Sequence, residues 1–346
     1  GCVLVCLAAS ASSQAASPSA TFVDVHVHLH GIKAVRPRIT WDFPAAADEL
    51  VTMMDRLGVA KAIVMPPPQQ PDRRASYTYD ALLSGIKRYP TRLYLAAGGD
   101  ALNPMILDTA SVTVTAAVKL EFSRQAEQML KDGARAFGEM MVLHFSFSDK
   151  HPFEQVDADH PLYLLLAELA AKHGAPIDLH MEAVPADQGL PARLVGRSKN
   201  NPSQIRATLP GFERLLVHNR QAKIVWQHIG WDNTGHMTIA LLRDLLTKHQ
   251  NLFMALKAVR SERETFRVVE NDILDGQGKL RSGWLSLFQE FPDRFVVGSD
   301  EFIHASGQAR MAGPPSFAQT WQILNLLPPE LRAKIGSENA CVFRSK

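Results

Sequence analysis

The segment FVDVHVHLH, residues 22–30, is the strongest indication of the fold in this sequence. Its β-branched and apolar residues predict a strand, and because side chains alternate along a strand, His26 and His28 point to the same side. A doubly wound sheet carries a glycine-rich phosphate turn after its first strand, whereas this chain carries His-x-His there. The segment therefore predicts the first strand of a barrel, with two histidines near its carboxyl end.

Seven further apolar runs alternate with longer helical patterns, which is the arrangement of βα units around a parallel sheet. The predicted strands are Phe22–Val27, Ala60–Met65, Leu93–Ala97, Ala134–Glu139, Pro176–His180, Lys223–Gln227, Leu252–Leu256 and Phe295–Gly298. The helix candidates lie near 45–57, 77–89, 118–132, 161–173, 203–219, 236–249, 263–291 and 317–327. Eight such units predict one α/β domain, a (β/α)8 TIM barrel over residues 21–346.

The composition limits the classes of partner. Hydrophobic residues make up 46% of the 346 residues and charged residues 21%, so the chain can bury a substantial core. A formal net charge of +2, from 37 basic and 35 acidic residues, produces no basic field for nucleic acid. We therefore expect a globular protein with a small-molecule substrate and no nucleic-acid partner. A homo-oligomer is compatible with the sequence.

Residues 1–20, GCVLVCLAASASSQAASPSA, resemble the later part of a secretory signal peptide, with a disordered tag as the alternative. The apolar run is too short to span a bilayer, which takes about 20 apolar residues. Cys2 and Cys6 fall in this segment and Cys341 stands near the other end, so no disulfide framework is predicted. We expect a periplasmic or secreted protein without a membrane span.

Metal-ligand residue types stand at five of the predicted strand ends, where barrel enzymes carry their chemistry. The six residues are His26, His28, Glu139, His180, His228 and Asp300. A single histidine after a strand is more often structural. Imidazoles and carboxylates that converge from five strands instead favour a divalent ion with one position open for water. The joint pattern predicts a catalytic metal site.

Several motifs resemble the amidohydrolase superfamily, in particular its amidohydrolase-related (amidohydrolase 2) branch, over residues 21–346. They are VDVHVH at 23–28, DLH at 178–180, IVWQHIG at 224–230, VVGSD at 296–300 and the ending PPELRAKIGSENACVFR at 328–344. The resemblance implies that His26, His28 and Asp300 hold a first metal ion. It implies ligation or catalysis for His180 and His228.

Glu139 separates two versions of this site. The motif FGEM at 137–140 resembles the Gly-Glu of barrel-type nucleases related to the superfamily, which implies a carboxylate that bridges two ions. In a site with one ion, His180 joins the first ion and His228 stays free as an acid or base. Glu139 would then orient a ligand histidine. We expect one or two ions, with zinc as the default and manganese or iron as alternatives.

The implied reaction is hydrolysis by a metal-activated water, which cleaves an amide, ester, lactone or phosphoester bond of a small substrate. Asp300 would accept the proton of the water, and His228 would ligate the metal or stabilise the developing oxyanion. The alternative is a non-oxidative decarboxylase, a lyase with a mononuclear site. A metal-stabilised barrel that binds a ligand without turnover is the third class.

Substrate-binding residues are expected in the loops that follow the strands. Trp41 lies in the loop after the first strand, Trp231 follows the sixth, and Lys257 and Arg260 follow the seventh. The basic side chains indicate an anionic group on the substrate, although basic residues in loops are usually solvated.

Overall fold

The computed structural model describes residues 21–30, 32–34, 40–71, 77–258, 267–305 and 316–343. Eight parallel strands close into a barrel, and we number them β1 to β8. They span Phe22–Leu29, Val59–Val64, Leu93–Gly98, Ala134–His144, Ile177–Met181, Ile224–Ile229, Leu252–Leu256 and Phe295–Val297. Each strand pairs with the next along the chain, and the pairing of Asp24 with Val297 joins β1 to β8. The predicted (β/α)8 barrel is confirmed.

Helices separate the strands along the chain. We number them α1 to α10, and they span Phe43–Leu57, Tyr79–Ile86, Leu102–Asp108, Ala116–Lys131, Pro161–His173, Leu209–His218, Ile239–Lys248, Trp284–Glu290, Ser316–Leu324 and Pro329–Gly336. The sequence marks several of their ends. The Asp42 side chain caps the start of α1, and Gly58 ends it with a φ of 71°. The segment predicted as a leader, residues 1–20, lies outside the described residues.

The long helix predicted near 263–291 is wrong over the residues that the structure describes. An α-helix forms there only at Trp284–Glu290. The Asp275 carboxylate accepts a hydrogen bond from the backbone N–H of Lys279, and Gly278 has a φ of 74°. The Asp-Gly-Gln-Gly segment therefore closes a turn, because its side chains satisfy the backbone locally.

Two other boundaries differ from the prediction. The helix expected near 203–219 begins only at Leu209, because Gln204–Ile205 pair instead with Gln188–Gly189 as antiparallel strands. Strand β4 continues past Glu139 to His144, and its outer end pairs with Glu154–Gln155. Glu139 therefore lies inside a strand rather than at its end.

The hydrophobic core has two main parts. The larger cluster fills the space between the strands and the helices, and a smaller one lies inside the barrel. The inner cluster includes Ala136, Val225 and Val296, and Phe343 of the carboxyl-terminal 3-10 helix packs against it. Because side chains alternate along a strand, Gln227 faces the same interior as Val225 but one step nearer the carboxyl end. Inside the barrel, the apolar layer therefore lies nearer the amino-terminal ends of the strands, and a polar layer lies nearer their carboxyl ends.

None of the helices in the described part of the chain is both long and apolar enough to cross a membrane.

Candidate metal centre

His26 and His28 lie on β1 with fully buried side chains, and their Nε2 atoms are 3.1 Å apart. The Nδ1 atom of each ring already has a hydrogen-bond partner. His26 Nδ1 lies 3.2 Å from Asp178 Oδ2, and His28 Nδ1 lies 2.9 Å from the backbone oxygen of Met65. An Nδ1–H that donates to an oxygen leaves Nε2 as the ligand atom, which is the usual support of a metal-binding histidine. Both Nε2 atoms therefore face one position.

The Glu139 carboxylate lies between two pairs of histidines. Its Oε2 is 3.6 Å from His26 Nε2 and 3.4 Å from His28 Nε2. Its Oε1 is 2.8 Å from His180 Nδ1 and 3.3 Å from His228 Nε2. One oxygen thus serves the β1 histidines and the other serves the histidines of β5 and β6.

Asp300, three residues beyond the last residue of β8, completes the side of the centre next to β1. Its Oδ1 lies 3.3 Å from His28 Nε2 and 3.9 Å from His26 Nε2. Its Oδ2 lies 2.5 Å from Lys257 Nζ. The carboxylate therefore has one oxygen toward the histidines and one on an ammonium group.

These donors fit a divalent metal ion. Three groups bring one ligand atom per residue to within 4.8 Å of one another: His26, His28 and Glu139; Glu139, His180 and His228; His26, His228 and Asp300. Nitrogen and carboxylate donors of this kind suit zinc, manganese or iron. The structure thus brings together all six residues that the sequence predicted as ligands, and their binding of metal stays a prediction.

Two of these residues have a backbone conformation that side chains rarely permit. His228 has a φ of 62° and Asp300 a φ of 54°, in the left-handed region. The pairing of β6 with β7 shifts register between Trp226 and Ile229, on either side of His228. The backbone N–H of Asp300 donates to the His26 oxygen at 3.0 Å. Strained residues of this type concentrate at functional sites.

Two glycines allow the strands to approach closely beneath the centre. A Cβ atom on Gly138 would lie 2.7 Å from the Cβ of Asp178. A Cβ atom on Gly298 would lie 3.0 Å from both the Cβ of His26 and the side-chain oxygen of Gln227. The glycines of FGEM and VVGSD are therefore steric requirements of the site.

The sequence did not predict the residues that support His26. Asp178 is fully buried, and its Oδ2 also accepts a hydrogen bond of 2.5 Å from Gln227 Nε2. Asp24 accepts hydrogen bonds from the backbone N–H groups of His26, at 3.0 Å, and Ser299, at 3.1 Å. The signal was present for Asp178, because the DLH motif contains it. Only the histidine of that motif was assigned a role.

The two carboxylates of the centre are held in the ionised form. Burial alone would raise the pKa of Glu139, but the charge of His26 and hydrogen bonds from His180 and His228 hold that pKa well below its usual value. Burial opposes ionisation of Asp300 as well. The Lys257 ammonium outweighs it and holds the pKa of Asp300 well below its usual value.

The histidines divide into two classes. Burial would lower the pKa of His26, but Asp178 and Glu139 raise it well above the usual value. The pKa of His28 is also raised, because hydrogen bonds to Asp300 and Glu139 outweigh burial. Burial lowers the pKa of His228 to about 3, and the Lys257 ammonium contributes in the same direction. His228 is therefore neutral at pH 7.

Three of the predicted substrate residues lie in the segments that follow the carboxyl ends of barrel strands, which we call the rim. The Lys257 ammonium lies 4.5 Å from the centre of the Trp231 ring, and the Arg267 guanidinium lies 5.8 Å from that ring. The sequence reasoning did not single out Arg267. The Trp41 ring contacts the His30 ring at a centroid distance of 5.7 Å. Arg260 lies outside the described residues.

No protein-family model matches the sequence, and no curated protein matches it. Solved structures do match. A mutant of a PTE-like lactonase from Deinococcus radiodurans has a TM-score of 0.52 at 14% identity, over 94% of this chain and 95% of the lactonase. An apo protein of Agrobacterium tumefaciens has a TM-score of 0.52 at 14% identity, over 95% of this chain and 97% of the other.

A third structure comes from molecular engineering of organophosphate hydrolysis activity in a weak, promiscuous lactonase template. It has a TM-score of 0.51 at 13% identity, over 92% of this chain and 95% of the other. The chain thus shares nearly the whole barrel with proteins that include lactonases. This likeness shows the fold, and it agrees with the (β/α)8 barrel that the sequence predicts.

Proposed function

We propose that this protein is a metal-dependent hydrolase of the amidohydrolase type, with a centre for two divalent ions. The observation that carries the proposal is the Glu139 carboxylate, whose two oxygens face different pairs of histidines. A residue that only oriented one histidine would need one such contact. A carboxylate between two sets of nitrogen ligands instead suits a bridge between ions.

The ions would supply Lewis acidity, which polarises the scissile bond and lowers the pKa of water. Asp300 would accept the proton of the attacking water, because its lowered pKa keeps it ionised and it borders the β1 histidines. Lys257 would hold the Asp300 side chain through Oδ2 and leave Oδ1 for the reaction. His228, neutral at pH 7, would serve as a ligand or as a hydrogen-bonding group for the developing oxyanion.

The rim supports a small substrate with an anionic or carbonyl group. The Lys257 ammonium is only partly buried and lies between Asp300 and the Trp231 ring. A positive charge against an indole face offers both an ion-pair partner and an apolar surface. We propose the ester, lactone, amide or phosphoester class for the bond that is cleaved.

The test combines metal analysis with a turnover screen. The purified protein is loaded with zinc, manganese or iron, dialysed, and its metal content per chain is measured. The loaded protein is then tested against lactones, amides, phosphoesters and aromatic carboxylic acids, with His26→Ala as the control. We expect bound metal and hydrolysis in the wild type and neither in the control.

Two results would contradict the proposal. A protein that retains no metal after reconstitution has no such centre, and hydrolysis that survives in His26→Ala arises elsewhere. Release of carbon dioxide from an aromatic acid by protein with a single ion would instead support the lyase alternative.

A further inference from the structure

Tyr77 carries a buried hydroxyl for which the protein offers no hydrogen-bond partner. The residue lies in the loop after β2 and is only 4% exposed. Its phenol oxygen makes no hydrogen bond within the described part of the chain. A buried polar group without a partner destabilises the folded protein, so its presence calls for an explanation.

The surroundings of Tyr77 connect it to the metal centre. Its ring contacts Trp41 at a centroid distance of 5.5 Å and His30 at 6.2 Å, and His30 follows the His26-x-His28 pair on the same segment. Burial raises the pKa of Tyr77 well above its usual value, and the Glu139 carboxylate adds to this shift. The phenol is therefore protonated at neutral pH and can donate a hydrogen bond.

Tyr77 also borders space that a ligand can use. It lines a cleft of about 580 Å³ together with Gln69 and Met105, from the loop after β2 and from α3. None of the six candidate ligands lines this cleft, so it offers space beside Tyr77 and is not itself part of the metal centre. Tyr77 thus borders both this cleft and His30, which follows the His26-x-His28 pair.

We propose that the Tyr77 hydroxyl binds the substrate by donating a hydrogen bond to one of its oxygens at the metal centre. The inference rests on the proposed hydrolase function. It names an oxygen acceptor, such as a carbonyl, carboxylate or phosphoryl oxygen, as the group that satisfies this phenol. No charge moves and no bond breaks at Tyr77, so its contribution is binding and orientation.

The experiment compares three tyrosine-to-phenylalanine variants, each of which removes a single oxygen atom. Tyr77→Phe tests the proposal. Tyr89→Phe is the activity control, because the Tyr89 hydroxyl bonds Asp48 on the outer helices at 2.7 Å. Tyr163→Phe is the stability control, because that hydroxyl is fully buried and donates to the Met141 oxygen at 2.5 Å.

Two measurements separate binding from folding. Zinc-loaded proteins are titrated with acetohydroxamate, whose oxygens imitate a bound carbonyl, and the metal-free proteins are melted. We expect Tyr77→Phe to bind acetohydroxamate about 3- to 10-fold more weakly, as loss of one hydrogen bond implies, and to melt at the wild-type temperature or above. We expect Tyr89→Phe to bind like the wild type and Tyr163→Phe to melt lower.

Three outcomes would overturn the proposal. Tyr77→Phe could bind acetohydroxamate like the wild type, the wild type could fail to bind it at all, or Tyr77→Phe could melt well below the wild type because its hydroxyl has a structural partner. The failure of the hydrolase function is seen separately, because the wild type would then retain no zinc. With zinc retained, an unchanged Tyr77→Phe refutes only the role of Tyr77.

Discussion

The two halves of the proposed metal centre are built differently. On the β1 half, His26 and His28 each have a hydrogen-bond acceptor for the second ring nitrogen, Asp178 Oδ2 and the Met65 oxygen. On the other half, His228 Nδ1 is buried and has no partner among the described residues, while His180 Nδ1 contacts Glu139 itself. The β1 histidines are therefore oriented by the protein, whereas the other pair depends on Glu139.

The contrast between the halves indicates which of them is preorganised for a metal ion. A ligand whose second nitrogen is held keeps its tautomer and ring orientation before the metal arrives. A ligand without such a hold must be oriented by the ion or by the bridging carboxylate. We therefore expect the β1 half to bind the tighter ion and the other half to bind the weaker one.

The largest expected effect comes from removing one histidine on each half. His26 carries the Asp178 support of the β1 half, so His26→Ala should lose both metal and hydrolysis. His228→Ala should fall from about two ions per chain to about one, since the β1 half stays intact. Metal analysis after dialysis measures both. Equal metal loss in the two variants would remove the distinction between the halves.

Glu139→Gln should test the link between the two halves, because it removes the negative charge that lies between them. We expect the weaker ion to be lost and hydrolysis to fall about 100-fold or more, because a catalytic ion supplies several kcal/mol. Glu154→Gln is the matched control, since Glu154 is equally buried but lies on the short strand that pairs with the outer end of β4. Two ions retained in Glu139→Gln would show that the carboxylate is not the bridge.

Asp178→Asn should weaken only the β1 half. The variant keeps the size of the side chain but loses the charge that holds His26 Nδ1. We expect the tighter zinc ion to bind about 10–100-fold more weakly, which is the usual effect of losing such support. Competition with a chelator measures both affinities. An unchanged tight site, or an equal loss at both sites, would mean that Asp178 does not define this half.

The smallest effect is a pH dependence that differs between the halves. The pKa of His26 is raised well above 6.5 in the metal-free protein, so a proton must leave before the metal binds there. Zinc affinity of the β1 half should fall about tenfold per pH unit below that pKa for each proton released. His228, with a pKa of about 3, is neutral throughout and adds no such slope. Zinc titrations from pH 8 to 6 test this, and parallel slopes would refute it.

The eight strands were predictable because each is a short apolar run between helical patterns, and packing reinforces that local signal. The helix expected near 263–291 was not, because Asp275 and Gly278 close a turn that hydrophobic spacing does not reveal. The end of β4 was misjudged for a related reason. Its outer residues pair with Glu154–Gln155, a partner that local sequence cannot indicate.

The six candidate ligands were predictable because residue type and strand position are both local properties of the sequence. Their supports were not. Asp178 reaches His26 across 152 positions of the chain, and Tyr77 reaches the surroundings of Glu139 only through the closed barrel. The DLH motif marks the position of Asp178, but nothing in the sequence shows which histidine it contacts, and no motif marks Tyr77. Contacts between distant segments are set by the packing of whole elements.

The sequence by itself determined that His26 and His28 point the same way, because side chains alternate along any strand. The tertiary structure determined which residues surround that pair. It set Glu139 between two pairs of histidines, put Asp178 behind one pair, and left the His228 Nδ1 without a partner in the described residues. The physical reason is that a period of two fixes direction within a strand, whereas only closure of the barrel fixes the distances between strands.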